Sequence, residues 1–281
     1  MSILGPVLLA LMAALAFDVL ASLRGRLPPA FVLDPERPLG SQATTLLRRC
    51  LAGLLIAWVL WLGAFSGLTA TAEPALEDLA RVPTPQLFFL HVQLGLVVLF
   101  WYGLGYGASA AGSRTGSLQR QTRMAAESVP RELAVGALTG LLIWAAVLAV
   151  LLLLGLLVAW LGGPEALPEE PPALVSWIVG LPIAVRVALS CSAGFFEELF
   201  FRGLLQYRAG VPLSTGLFIL AHLAYGQPLM LVGVALLSLT FAALFYRRGS
   251  IWSAAAAHAV FDAVQLLIVI PAILQLAERS S

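Results

Sequence analysis

Long apolar runs separated by short polar stretches dominate the chain, with little of the alternation or amphipathic periodicity of a soluble fold. Five long segments come first: Ile3–Leu20, Leu46–Phe65, Gln86–Tyr106, Leu133–Leu161 and Leu174 to about Leu205. Three shorter ones follow, Val211–Tyr225, Leu229–Tyr246 and Ile251–Leu276. A hydrocarbon core of about 30 Å takes about 20 apolar residues in helical form. Only helices and closed barrels satisfy every backbone group there, so the pattern predicts an all-α polytopic membrane bundle of about eight transmembrane helices. The sixth segment is marginal in length and is delimited by Gly210 and Pro212 at its start and by Gly226 and Pro228 at its end. The fourth is long enough to tilt or to project from the bilayer.

Composition agrees. Of 281 residues, 60% are hydrophobic and 11% charged, against about 25% charged in a soluble domain. So few charges cannot cover a water-facing globule, and the partner of much of this surface is the lipid bilayer. A net charge of +1 gives no reason to expect nucleic acid. Cys50 and Cys191 form neither a disulfide framework nor a metal-binding pair by spacing. All the basic residues are arginines.

Those arginines recur in alternate loops. Arg24, Arg26, Arg37, Arg48 and Arg49 follow the first segment; Arg114, Arg120, Arg123 and Arg131 follow the third; Arg208 follows the fifth, and Arg247 and Arg248 the seventh. The intervening loops carry Glu73, Glu77 and Asp78, and then Glu165, Glu169 and Glu170. Under the positive-inside rule this places both termini outside the cytoplasm and requires an even number of spans. The first segment lacks a preceding basic stretch, so it reads as a span rather than a cleaved signal peptide. The Gly-, Ser-, Arg- and Gln-rich stretch from Gly107 to Arg131 reads as a cytoplasmic linker. It divides a three-span N-terminal region, residues 1–125, from a five-span core, residues 126–281. Gly103 with Gly107, and Gly136 with Gly140, have the four-residue spacing that lets helices approach closely.

Ionisable groups at membrane depth are costly and usually mark a site or a pathway. Here they cluster in three segments: Glu197, Glu198 and Arg202 in the fifth, His222 in the sixth, His258 and Asp262 in the eighth. Residues four apart share a helix face, so Glu198 is expected to pair with Arg202 in a structural role, while Glu197 points about 100° away. His258 and Asp262 reach a common point for the same reason. Counted at 1.5 Å per residue from the cytoplasmic ends, Glu197 and His222 lie roughly 16 Å deep, His258 roughly 14 Å and Asp262 roughly 20 Å. Three helices thus carry polar groups to one layer. Such a set suits a divalent metal such as zinc, or water activated by a glutamate with a histidine donating to an oxyanion. Taken singly, each group also has a plain reading: His222 as a packing histidine, His258 with Asp262 as a helix-stabilising hydrogen bond. His91 has no acidic neighbour in sequence and reads as structural. Arg186 calls for an acidic partner on another helix, and Asp18 lies near a cytoplasmic end where it reaches water.

At these positions the sequence resembles the CPBP family. The motifs are Glu197-Glu198 followed by Arg202, Phe218 before His222, and His258 before Asp262. The family includes type II CAAX prenyl endopeptidases and bacteriocin-processing or immunity proteins, described as glutamic or metallo intramembrane proteases. The resemblance covers about Leu174 to Leu267. It implies a multi-pass helical protease that cleaves a membrane-associated protein or peptide. It implies Glu197 as the water-activating base, His222 as its partner or a ligand, and His258 with Asp262 as an oxyanion-binding or metal-binding pair. The family's third motif often ends in asparagine. Asp262 cannot donate a hydrogen bond unless protonated, so a ligand or orienting role suits it better. With Glu197 as base, His222, His258 and Asp262 supply the three protein ligands of a catalytic zinc, and ligand chemistry leans to that ion. The Ala-, Leu- and Arg-rich, lysine-free composition points to a bacterial cytoplasmic membrane. Two other classes fit: a transporter with a polar intramembrane relay, and a non-catalytic immunity or scaffold protein.

Overall fold

The computed structural model describes residues 54, 57–58, 76–101, 123–124, 126–167, 173–206, 210–223 and 228–280. The first expected span, Asp18, the Gly103/Gly107 pair, nearly all of the second span and most of the linker lie outside them. Every regular element among the described residues is helical. In chain order these are α1 (Leu76–Ala80), a short 3-10 turn leading into α2 (Phe89–Trp101), α3 (Val129–Gly162), α4 (Ala173–Val179), α5 (Ile183–Glu198), α6 (Val211–Ala221), α7 (Pro228–Arg248), α8 (Ile251–Val264) and α9 (Ile270–Ser280). Two π-helical stretches, Leu199–Gln206 and Gln265–Val269, continue α5 and α8.

Among the described residues three helical stretches are long and apolar enough to cross a membrane: Val129–Gly162, Leu229–Arg248 and Ile251–Leu276. The first has 34 residues, about 51 Å of helix, well beyond the hydrocarbon thickness. The stretches Thr84–Leu99 and Val211–Ala221 are apolar but shorter. The fifth expected segment is not one helix. It breaks at Gly180-Leu181-Pro182, where α4 ends and Pro182 (φ −52°, ψ 143°) precedes α5. A proline disfavours helical backbone in the residue before it, so the apolar run alone overstates the helix. An outward row of large apolar side chains on α3, including Leu138, Leu142, Leu153, Leu156 and Trp160, is a surface suited to lipid rather than water.

Helix α8 is the hub, packed chiefly against α3 and α5 and also against α7. Its sequence explains why. Ser253 and the run Ala254–Ala257 present almost no side-chain bulk, so neighbouring helices come close to its backbone. The neighbours contribute glycines at the same places. A Cβ on Gly140 of α3 would stand 2.6 Å from the Ala257 carbonyl oxygen, and one on Gly194 of α5 would stand 2.6 Å from that of Ala255. Gly136 makes the same close approach to Ser253, so the Gly136/Gly140 pair of the sequence is the α3–α8 contact. The start of α8 is fixed separately. Ser250 caps it, the Ile251 amide donates to the Arg123 carbonyl at 3.0 Å, and the Trp252 indole donates to the Met124 carbonyl at 2.8 Å. Beside it Arg248 grips Glu132 at the start of α3 with two hydrogen bonds, one of 2.9 Å and the other between Nη2 and Oε1. Helix α2 lies against α5 and its π-helical continuation.

Candidate active site

The close approach of α5 and α8 at Gly194 sets the site one turn further on. Glu198 ends α5, and with Arg202 it is completely buried, each side chain 0% exposed. Arg202 Nε lies 3.1 Å from Glu198 Oε2, near enough for an ion pair but not aligned as a hydrogen bond. The opposite carboxylate oxygen, Oε1, is 3.0 Å from His258 Nδ1. Arg202 Nη2 donates to both the carbonyl and the hydroxyl of Ser238 on α7, each at 3.1 Å. Its guanidinium also lies over the Phe218 ring, 4.5 Å from the centroid. One buried charge pair therefore ties α5, α6, α7 and α8 together.

Phe218 is the second junction. Its ring centroid is 4.5 Å from that of His222 and 5.9 Å from that of His258, so both imidazoles lie against one phenyl ring. His222 terminates α6, where helix carbonyls lack intrahelical partners. Its Nδ1 is 2.7 Å from the Phe218 carbonyl oxygen; carbonyls only accept, so Nδ1 carries the proton and Nε2 is left an acceptor. His258 stacks on Phe241 with centroids 5.0 Å apart. Its second nitrogen, Nε2, faces Asp262 Oδ2 at 3.4 Å.

Glu197 points the other way from Glu198, towards α2. Its Oε1 is 3.6 Å from His91 Nε2, and its Oε2 is buried without a hydrogen-bond partner among the described residues. Its charge acts on His222 and His258 as well. Glu197, His222, His258 and Asp262 are thus gathered at one place, with Glu198 and Arg202 beneath them. The sequence reading missed His91. It comes from a helix far away in sequence and owes its place to Gly95, one turn on, where a Cβ would stand 2.7 Å from the Phe196 ring of α5.

The zinc expected on His222, His258 and Asp262 draws no support from this arrangement. Among the described residues no group of three His, Cys, Asp or Glu side chains is disposed to hold a metal ion. His258 has Nδ1 turned to Glu198 and Nε2 to Asp262. Arg186 Nη1 donates to the Leu266 carbonyl at 2.7 Å, and among the described residues it meets no acid. Leu266 belongs to the second π-helical stretch, where carbonyl partners shift from i+4 to i+5, and π turns of this kind are frequent beside functional sites.

Apolar helices long enough to cross a membrane, enclosing buried carboxylates and imidazoles, define the class as an integral membrane protein. Residues 173–264, about a third of the chain, match the family model described as type II CAAX prenyl endopeptidase Rce1-like. The match contains all three motifs and bears out the resemblance over that stretch; it excludes α2, and with it His91. No curated protein and no solved structure matches.

Proposed function

We propose that the chain is an intramembrane endopeptidase that hydrolyses a peptide bond of a membrane-associated protein or peptide. The observation that carries this reading is Glu197, a buried carboxylate with one oxygen facing an imidazole and the other without a partner, beside His222 and His258. Glu197 Oε2 takes a proton from water as the water oxygen bonds to the scissile carbonyl carbon. His222, with Nε2 as acceptor, orients that water. Protonated His258, its Nδ1–H held by Glu198 Oε1, turns its Nε2–H, 3.4 Å from Asp262 Oδ2, to the developing oxyanion. The carbon–nitrogen bond then breaks, and the proton held by Glu197 passes to the departing amine. No outside oxidant or second substrate is required.

The protein is proposed to reside in a bacterial cytoplasmic membrane, with eight spans and both termini outside the cytoplasm, as the alternating arginines support. The test is a peptidase assay on purified protein in detergent against a library of lipid-anchored fluorogenic peptides, wild type beside Glu197→Gln. Cleavage by wild type is expected, with a loss of about 10²- to 10⁴-fold in the variant, the usual worth of a positioned base. Equal cleavage by both would refute the assignment of the base.

A further inference from the structure

The two faces that meet at the α2–α5 contact are in register. On α2, His91 and Gly95 are one turn apart; on α5, Ser192 and Phe196 are one turn apart. Gly95 receives the Phe196 ring, and His91 Nδ1 lies 2.5 Å from Ser192 Oγ. The His91 side chain is 9% exposed. A buried imidazole is held at a fixed height against α5, with its other nitrogen turned to Glu197 Oε1 at 3.6 Å.

We propose that His91, oriented by Ser192, is a positioning residue for Glu197. This inference rests on the reading of Glu197 as the base. The hydrogen-bond chemistry fixes the tautomer. Glu197 Oε1 accepts, so His91 Nε2 carries the proton; Nδ1 is then an acceptor, to which the Ser192 hydroxyl donates. The relay Ser192–His91–Glu197 engages one carboxylate oxygen and leaves the other for water. The 3.6 Å gap is longer than a hydrogen bond, and contacts of this kind commonly tighten when substrate closes a site. Since His91 lies outside residues 173–264, the base of the motif region is completed by a helix from the N-terminal part of the chain.

The test uses the full-length protein in detergent and the best substrate from the lipid-anchored peptide library. His91→Ala is expected to lower kcat about 10- to 100-fold, the worth of one hydrogen bond to a charged group, with KM nearly unchanged. His91→Gln, whose amide replaces the Nε2 donor, should recover much of that loss. Ser192→Ala should fall in between, and adding it to His91→Ala should cost nothing further, because the two act as one unit. Unchanged kcat in His91→Ala overturns the proposal, and so does a loss that His91→Gln fails to restore while Ser192→Ala is fully active. Should His91→Ala not fold, His91→Gln and Ser192→Ala decide, with full activity in Ser192→Ala counting against it. Glu197→Gln serves as the control. If that variant stays active, the base assignment fails; if it is inactive while His91→Ala is not, only the role of His91 fails.

Discussion

Replacing Arg202 by methionine, with and without Glu198→Leu, separates stability from activity at this site. Both side chains are fully buried, so Arg202→Met strands a carboxylate in an apolar interior. Breaking a buried pair by removing one partner costs about 3–5 kcal/mol, and Glu198→Leu strands the guanidinium at similar cost. Replacing both by apolar residues of similar volume is often neutral or stabilising by about 1–4 kcal/mol. Here the gain is reduced, because the Ser238 hydroxyl loses the Arg202 donor, and an unmet buried polar group costs about 1–3 kcal/mol; the Ser238 carbonyl, inside α7, keeps its helical partner. The double variant is therefore expected within about 3 kcal/mol of wild type, with a coupling energy of at least about 3 kcal/mol.

Activity should not follow. With Glu198 gone, the 3.0 Å contact to His258 Nδ1 is lost, and the imidazole keeps its contacts with Phe241, Phe218 and Asp262. The double variant should fold and yet cleave poorly. The assays are equilibrium unfolding in mixed micelles for all four members of the cycle, beside the peptidase assay. A double variant as unstable as either single one would show that the pair is not a self-compensating unit. A stable and fully active double variant would show that Glu198 does not orient His258.

Two further outcomes follow from the same geometry. Gly140→Ala should destabilise by about 1–3 kcal/mol, because its Cβ meets the Ala257 backbone, whereas Gly155→Ala, with open space around its Cβ, should be neutral or slightly stabilising; thermal unfolding of both in detergent compares them. Asp262→Asn should retain activity if the side chains alone do the chemistry, whereas dependence on zinc predicts a fall that excess zinc partly restores; retained cleavage by chelator-treated wild type, with no metal by elemental analysis, ends the zinc reading.

The sequence carried the motif region well and its surroundings poorly, for identifiable reasons. Glu198 with Arg202 and His258 with Asp262 are four apart, so helix geometry alone brings each pair together, and Gly136 with Gly140 mark a real contact by the same periodicity. The break at Pro182 was legible in principle: a Gly-Leu-Pro triplet inside an apolar run is a stronger signal than the run's length. The first π-helical stretch carries no periodic signature, because its residues pack on all sides, as the eight buried positions from Leu199 to Gln206 show. His91 was read as structural because its partners are more than 100 positions away. A lone histidine in an apolar segment says nothing about which distant carboxylate it meets. Gly95 one turn along, matched with Phe196 one turn after Ser192, is a signal visible only once the two helices are known to touch.

Neighbours, more than position in the motif, separate the two adjacent glutamates. Glu198 is fully buried and Glu197 nearly so, and both lie at the end of α5; the four-residue spacing to Arg202 already marks Glu198 as the structural member, and the contacts say why. Glu198 has one oxygen against Arg202 and the other on His258. Protonating it would leave a buried guanidinium without its counter-charge, at a cost of several kcal/mol, so it is poorly suited to accept a proton at each turnover. Glu197 faces one imidazole at 3.6 Å and keeps its second oxygen unengaged, so a proton can arrive and leave without breaking an ion pair. The glutamate that anchors the bundle is thereby protected from the chemistry, and the one proposed to do the chemistry carries no structural charge pair.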